Sequence, residues 1–112
     1  MKMNSILISS FAFDLVAPIF TKKPPAVVMP FESTDFTETC QAKGFPIPVS
    51  NWSRLLQPFP LARTEVRAGN LTITNLSTTD SGLYECVVMN TMGVKKTRMN
   101  LVVQKGGWYC LL

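Results

Sequence analysis

The segment Asp80-Ser81-Gly82-Leu83-Tyr84-Glu85-Cys86 places a tyrosine two residues before a cysteine and a glycine two residues before that tyrosine. At this spacing the Tyr84 hydroxyl can reach back to the backbone and close the corner at which a strand begins. Gly82 can adopt backbone angles that a residue with a Cβ avoids. Alternation from Leu83 onward sends Tyr84 and Cys86 to the same face. The segment therefore predicts a buried cysteine on a strand that is entered through a tight corner.

Short β-like runs separated by turn residues extend in both directions from this segment. The predicted strands are Ile19–Lys23, Ala26–Met29, Phe36–Ala42, Val49–Arg54, Arg63–Arg67, Asn70–Leu76, Leu83–Asn90 and Val94–Val103. Eight Pro and six Gly argue against long helices, and short strands at regular spacing are typical of a sandwich or barrel. The sequence predicts an all-β fold in which Asp80 lies near the strand that begins at Arg63, the best candidate for its charge-assisted partner.

The composition allows one domain and removes most kinds of catalytic site. The chain has 112 residues, of which 46% are hydrophobic and 16% charged, enough apolar material for one core. It contains no His, which excludes imidazole-based triads and most zinc sites. The net charge of +4 arises from scattered Lys and Arg residues, without the run of like charges that marks a nucleic-acid arm. We expect no catalytic residue, metal, cofactor or nucleic-acid partner.

The three cysteines allow one disulfide and leave one thiol over. Cys40 and Cys86 lie within predicted strands, whereas Cys110 is near the end of the chain, so we predict that Cys40 pairs with Cys86. In the chain-entropy model, closing this loop stabilises the fold by about 4 kcal/mol. Trp52 stands at the spacing at which an indole packs against a disulfide between two facing strands. Whether Cys110 pairs with another chain stays open.

Both ends of the sequence differ from its middle. Residues 1–17 contain a short apolar run, which we interpret either as a weak signal-like segment or as a non-native start of the chain. Asp14 interrupts the run, which is shorter than the roughly 20 residues that span a bilayer. Residues 105–112 show no strand alternation. We interpret residues 18–104 as the folded domain and the two ends as appendages, with no membrane insertion by the domain itself.

Taken together, several motifs resemble the immunoglobulin superfamily, specifically its I-set. The residues that carry the resemblance are Cys40, Gly44-Phe45-Pro46-Ile47-Pro48, Trp52, Leu71-Thr72-Ile73, the segment from Asp80 to Cys86, and the turn Asn90-Thr91-Met92-Gly93. The resemblance implies a Greek-key sandwich of two antiparallel sheets with one disulfide between them. It also implies a set of core signature residues, namely Trp52, Leu71, Asp80, Gly82 and Tyr84. Similar modules occur in arrays on adhesion receptors and matrix proteins, such as contactin-like and hemicentin-like proteins.

The sequence departs from the family pattern at two places. Only 19 positions separate Trp52 from Leu71, fewer than in most members, so the strands between them must be short. Ser50 occupies the site two residues before Trp52, where the family usually buries Val or Ile. We therefore expect that Ser50 either forms a hydrogen bond inside the domain or marks a local shift of register.

Three Asn-x-Ser/Thr sequons begin at Asn51, Asn70 and Asn75. Asn70 and Asn75 flank a predicted strand at turns, which makes them the better candidates for glycosylation, whereas Asn51 adjoins Trp52. Together with a disulfide, the sequons favour an extracellular or cell-surface location. Cytosolic members of the family in muscle filaments provide the competing location.

Alternation also predicts a candidate partner-binding face. Val87 and Met89 point outward on one strand, and Lys96 and Arg98 point outward on the next, beside Asn51 or Ser53. We interpret this set as an apolar centre with a basic rim, suited to a protein partner of the same or another kind. An ordinary solvated sheet face and a sulfated glycan ligand are the alternatives.

The sequence thus predicts a non-catalytic protein-binding or cell-adhesion module, one unit of a larger receptor or matrix protein. Rigid presentation of exposed strands and loops would let it bind a partner at a small ordering cost. One alternative is a structural spacer of a cytosolic filament protein, with its thiols reduced. The other is a secreted single domain that traps a ligand.

Overall fold

The computed structural model describes residues 14–106. Most of the predicted signal-like segment and most of the predicted C-terminal tail, including Cys110, lie outside the described residues. Within the described part of the chain, the secondary structure is almost entirely β, as the sequence predicts.

Nine strands and one turn of 3₁₀ helix account for the regular structure of residues 14–106. The strands are β1 (Val16–Lys22), β2 (Val27–Val28), β3 (Phe36–Thr39), β4 (Gln41–Phe45), β5 (Val49–Arg54), β6 (Thr64–Arg67), β7 (Asn70–Ile73), β8 (Gly82–Asn90) and β9 (Gly93–Leu101). The 3₁₀ turn Thr78–Asp80 lies between β7 and β8.

The strands form two layers. One layer is a four-stranded sheet in the order β2-β9-β8-β5, and the other consists of the β3-β7-β6 sheet and the β1-β4 pair. Neighbouring strands are antiparallel except β2 and β9, which are parallel. The Cys40–Cys86 disulfide joins the layers. The predicted sandwich with one disulfide between its sheets is confirmed.

The predicted strand Phe36–Ala42 is wrong in one respect, because the structure divides this region at Cys40 into β3 and β4. The Cys40 backbone N–H donates to the carbonyl of Gly69 at the tip of the β6–β7 hairpin, at 2.9 Å. Beyond that point the chain leaves β7 and pairs with β1 instead. β1 begins at Val16 rather than at Ile19 because Val16 pairs with Phe45.

A single core fills the space between the layers. Its buried residues are Phe36, Cys40, Trp52, Leu71, Ile73, Leu76, Tyr84, Cys86, Val88, Met99, Leu101 and Val103. The indole Nε1–H of Trp52 donates to the Gly69 carbonyl at 2.9 Å, so the one buried polar group of this side chain has a partner. Leu71 and Trp52 are buried as their signature roles imply.

The Tyr84 hydroxyl closes the corner before β8, as the sequence predicts. The Tyr84 hydroxyl donates to the Asp80 carbonyl at 2.6 Å, and burial raises the pKa of Tyr84 to about 12. Gly82 has a φ of +154°, next to the Arg54 guanidinium. A Cβ on this residue would stand 3.5 Å from Nε of Arg54.

Arg63 and Asp80 are joined by two hydrogen bonds. Nη1 and Nη2 of Arg63 donate to Oδ2 and Oδ1 of Asp80 at 2.9 and 2.8 Å. Burial raises the pKa of Asp80, but the hydrogen bonds from Arg63 and from the backbone N–H of Ser77 outweigh it, so the pKa lies below its usual value. The pair fixes the 3₁₀ turn to the residue that precedes β6.

Arg54 also stabilises this corner, a role that the sequence pattern does not predict. Its Nη2 donates to the carbonyls of Thr79 and Ser81 at 2.8 and 2.9 Å. Its guanidinium lies 5.4 Å from the centre of the Tyr84 ring, within the range of a cation–π contact. Arg54 therefore links the end of β5 to the loop that enters β8.

Ser50 follows neither of the two courses expected for it. The β5–β8 register is regular from Val49 to Arg54, and no side-chain hydrogen bond joins Ser50 to another described residue. The connection between Arg54 and Thr64 contains no strand, so it adds no strand beside β5. Ser50 is half-buried.

We expect Gly69→Ala to lower the free energy of unfolding by about 2 kcal/mol or more. Gly69 has a φ of +84°, and a Cβ there would collide with the Cys40 carbonyl oxygen. Urea denaturation measures the change. Ala68→Gly is the matched control: Ala68 also has a positive φ, of 50°, and should tolerate glycine to within about 1 kcal/mol. Equal effects of the two substitutions would contradict this assignment.

The Arg63–Asp80 pair predicts a dependence of stability on pH. The folded state lowers the pKa of Asp80, so the stabilisation is complete above its unfolded value of about 3.9 and is lost as the pH falls through the folded value. As the pH falls from about 5 to about 2, Asp80→Asn should lose less of its free energy of unfolding than the wild type does. Glu65→Gln, at the exposed ion pair with Arg67, should keep the wild-type acid profile. Chemical denaturation at a series of pH values makes the comparison.

Candidate functional site

The outward side chains of β5, β8 and β9 form one continuous surface, which we call the outer face. The strand registers align these side chains in three rows. The rows are Val49 with Met89 and Val94, then Asn51 with Val87 and Lys96, then Ser53 with Glu85 and Arg98. The structure thus brings together the four residues predicted for a partner-binding face, together with Asn51 and Ser53.

The apolar part of the outer face lies at one end rather than at its centre. Val49, Met89 and Val94 are 67%, 46% and 53% exposed, and Ile47 in the preceding loop is 82% exposed. The predicted apolar centre is therefore corrected to an apolar row beside the β8–β9 turn. Such a row presents hydrophobic side chains to solvent with no cover from the described part of the chain.

The basic part of the outer face contains an ion pair. Nε of Arg98 donates to Oε2 of Glu85 at 3.1 Å, and Glu85 is 8% exposed. Lys96 forms no ion pair with the described residues and carries the uncompensated charge of the face. Pairing the strands about the Asn90–Gly93 turn places Glu85 opposite Arg98, so the sequence contained a signal for this contact.

Asn90 fixes the apolar end of the outer face. Its Nδ2 donates to the carbonyls of Val16 and Pro46 at 2.7 and 2.9 Å, and its Oδ1 accepts from the Met92 N–H at 2.8 Å. One side chain thus ties the β8–β9 turn to β1 and to the β4–β5 loop. Asn90 of the turn motif therefore holds these segments together, and we call this set of hydrogen bonds the Asn90 clasp.

The three sequon asparagines have different environments. Asn51 and Asn75 are exposed, and Asn75 lies in a turn with a φ of +51°. Asn70 is half-buried, and its Oδ1 accepts from the Thr39 hydroxyl at 2.9 Å. Exposure therefore favours Asn75 and Asn51 over Asn70 as glycosylation sites, whereas the sequence favours Asn70 and Asn75.

A cleft of about 750 Å³ opens beside the free side of β5. The cleft is lined by Thr21 of β1, by residues 41–43 of β4, by residues 48–51, and by Val66, Ala68 and Gly69 of the β6–β7 hairpin. Ser50 therefore borders this cleft. The cleft faces solvent next to the outer face.

Two kinds of site are missing from residues 14–106. This part of the chain holds no group of three or more His, Cys, Asp or Glu side chains that could bind a metal ion. It also has no helix with the length and apolar character needed to cross a bilayer.

Comparison with curated proteins finds relatives that are much longer than this chain. Hemolin from Lonomia obliqua is 34% identical over 77 residues, which cover 69% of this chain and 19% of hemolin. The peroxidasin homolog from Mus musculus is 32% identical over 105 residues, 91% of this chain and 7% of that protein. The chain thus spans less than a fifth of the length of either relative.

Solved structures show the same similarity in three dimensions. Drosophila OTK, extracellular domains 3–5, superimposes with a TM-score of 0.73 at 29% identity, over 80% of this chain and 32% of that one. The insect immune protein hemolin, described with implications for homophilic adhesion, gives 0.68 at 30% identity over 80% of this chain and 22% of that one. The family model of the immunoglobulin domain matches residues 17–90. The chain therefore belongs to the immunoglobulin superfamily.

Proposed function

We propose that this immunoglobulin domain is a non-catalytic protein-binding module that acts in adhesion or recognition outside the cell, as one unit of a longer chain. Its similarity to domains of OTK and hemolin supports this role. The proposed contact surface is the outer face. We also propose that the domain belongs to the I-set and that it extends over residues 18–104.

The observation that carries the proposal is the exposed apolar row of Val49, Met89 and Val94 on a rigid sheet. Three apolar side chains in register leave a hydrophobic surface that a protein partner can cover. The disulfide and the Asn90 clasp hold the strands in place before binding. Little conformational entropy is therefore lost on association, which favours binding by a modest surface.

The charges of the outer face favour a protein over a sulfated glycan. Arg98 is already paired with Glu85, so Lys96 alone carries an unpaired positive charge on the three rows. A sulfated glycan requires several free basic groups, because its affinity comes mainly from charge. A partner that covers Met89 and meets Lys96 with an acidic group fits this surface better, whether it is another copy or a different protein.

The disulfide and the exposed sequons support an oxidising, secretory location. A cytosolic filament spacer would keep Cys40 and Cys86 as thiols, so thiol titration of the native chain, with and without reductant, separates that role from the proposed one. A secreted single-domain ligand trap shares the disulfide. It differs in being released from cells as one domain, which mass spectrometry of the secreted protein would detect.

Lys96→Glu should weaken partner binding by roughly tenfold, because it reverses the one unpaired charge of the outer face. Lys22→Glu changes the net charge equally on β1 of the other layer, where Lys22 is exposed, and should bind as the wild type does. Aggregation of protein-coated beads tests self-recognition, and a tetramerised chain applied to an array of extracellular proteins tests other partners. Equal loss in the two variants would contradict the outer face as the contact surface.

We expect glycosylation at Asn75 in a secreted chain. Its exposed position leaves room for a glycan, whereas the Asn70 side chain is engaged by Thr39. Asn75→Gln should remove the part of the glycosidase-sensitive mobility shift that one glycan contributes, and Asn70→Gln should leave the shift unchanged. A shift that disappears only with Asn70→Gln would contradict the structural ranking.

A further inference from the structure

Asn51 lies in the middle of strand β5 with its side chain on the outer face. The strand pairs regularly with β8 from Val49 to Arg54, and the next side chain, that of Trp52, is only 3% exposed. Because side chains alternate along a strand, the burial of Trp52 directs Asn51 to solvent. Asn51 is exposed, and no hydrogen bond joins its side chain to another residue between 14 and 106. Its amide can therefore carry a covalent group without the loss of a contact in this part of the chain.

The sequence around Asn51 supplies the chemistry for an N-linked glycan. Asn51-Trp52-Ser53 is a sequon, and such an asparagine accepts an oligosaccharide in the secretory pathway. The amide nitrogen attacks the anomeric carbon of an oligosaccharide that is linked to a lipid diphosphate. An N–C bond forms, the C–O bond to the diphosphate breaks, and the nitrogen gives up one proton.

Transfer of a glycan to Asn51 must precede the folding of the domain. In the folded chain the sequon is extended and paired with β8. Its middle side chain is fixed, because the Trp52 indole donates to the Gly69 carbonyl at 2.9 Å. The segment cannot then bend into the site of a transferase. Folding and transfer compete for the same chain, so we expect a secreted protein that contains forms with and without this glycan.

A glycan at this position would lie beside the rows of the outer face that a partner must cover. Val87 is the direct neighbour of Asn51 across the β5–β8 pair, and Lys96 follows it on β9. Neighbouring strands are about 4.8 Å apart, and Val49 lies two residues along β5, about 7 Å away. A protein that covers Val49 and Met89 must therefore enter the space that the first sugars on Asn51 need.

We propose that an N-linked glycan on Asn51 closes the outer face to protein partners, so that glycosylation divides the protein into a binding form and a blocked form. This inference rests on the proposed function, because it assigns a means of regulation to the same face. The glycan is bulky and hydrated, so it excludes a partner sterically and gives the apolar row a polar cover. A glycan on Asn75 has no such effect, since Asn75 follows β7 in the other layer.

Chains that keep one sequon each separate the effects of the two sites. The first chain carries Asn70→Gln and Asn75→Gln, and the second carries Asn51→Gln and Asn70→Gln. Both are full-length, are secreted from animal cells behind an added leader, and carry Cys110→Ser to prevent intermolecular disulfides. Lectin chromatography separates the glycosylated form from the glycan-free form, and mass spectrometry measures the glycosylated fraction. Ser53→Ala in the first chain keeps the asparagine but removes its sequon, and should abolish lectin binding.

An antibody fragment raised against the glycan-free chain serves as a protein-sized probe of the outer face. It is selected for loss of binding to both Lys96→Glu and Val49→Ser, so that it contacts two rows of this face. The glycan on Asn51 should weaken binding of the fragment at least roughly tenfold. The glycan on Asn75 should leave its binding unchanged. The fragment makes the measurement independent of the natural partner.

Three results would overturn the inference. They are the absence of any glycan on Asn51 in the first chain, equal affinity of the fragment for the glycosylated and glycan-free forms of that chain, and an equal loss of affinity with the glycan on Asn75. Failure of the proposed function gives a different result. Lys96→Glu would then leave bead aggregation and the array signals unchanged, while the glycan on Asn51 would still exclude the fragment.

Discussion

The carbonyl of Gly69 is the point at which the two layers of the domain are tied together. It accepts hydrogen bonds from the Cys40 N–H and from the indole of Trp52, both at 2.9 Å. Cys40 belongs to one layer and Trp52 to the other, and the disulfide from Cys40 to Cys86 lies between them. Only a residue without a Cβ allows this approach. The closure of the sandwich thus depends on one hairpin tip.

The position of the β6–β7 hairpin tip also determines where strand pairing in its layer ends. Because the β6–β7 hairpin ends at Gly69, β7 pairs with β3 but does not extend along β4. The short connection between β5 and β6 adds no strand on the free side of β5. The cleft beside β5 therefore follows from the short hairpin and the short connection.

Much of the architecture could be predicted from the sequence because it depends on local signals. Strand β5 was predicted with the bounds that the structure shows. The corner closed by the Tyr84 hydroxyl and the Arg63–Asp80 pair follow from residue type and spacing. The division at Cys40 could not be predicted, since it arises from a contact with Gly69, 29 positions away. The Glu85–Arg98 pair and the position of the apolar row depend on hairpin register. The half-burial of Ser50 depends on the cleft that it borders, which a local pattern does not reveal.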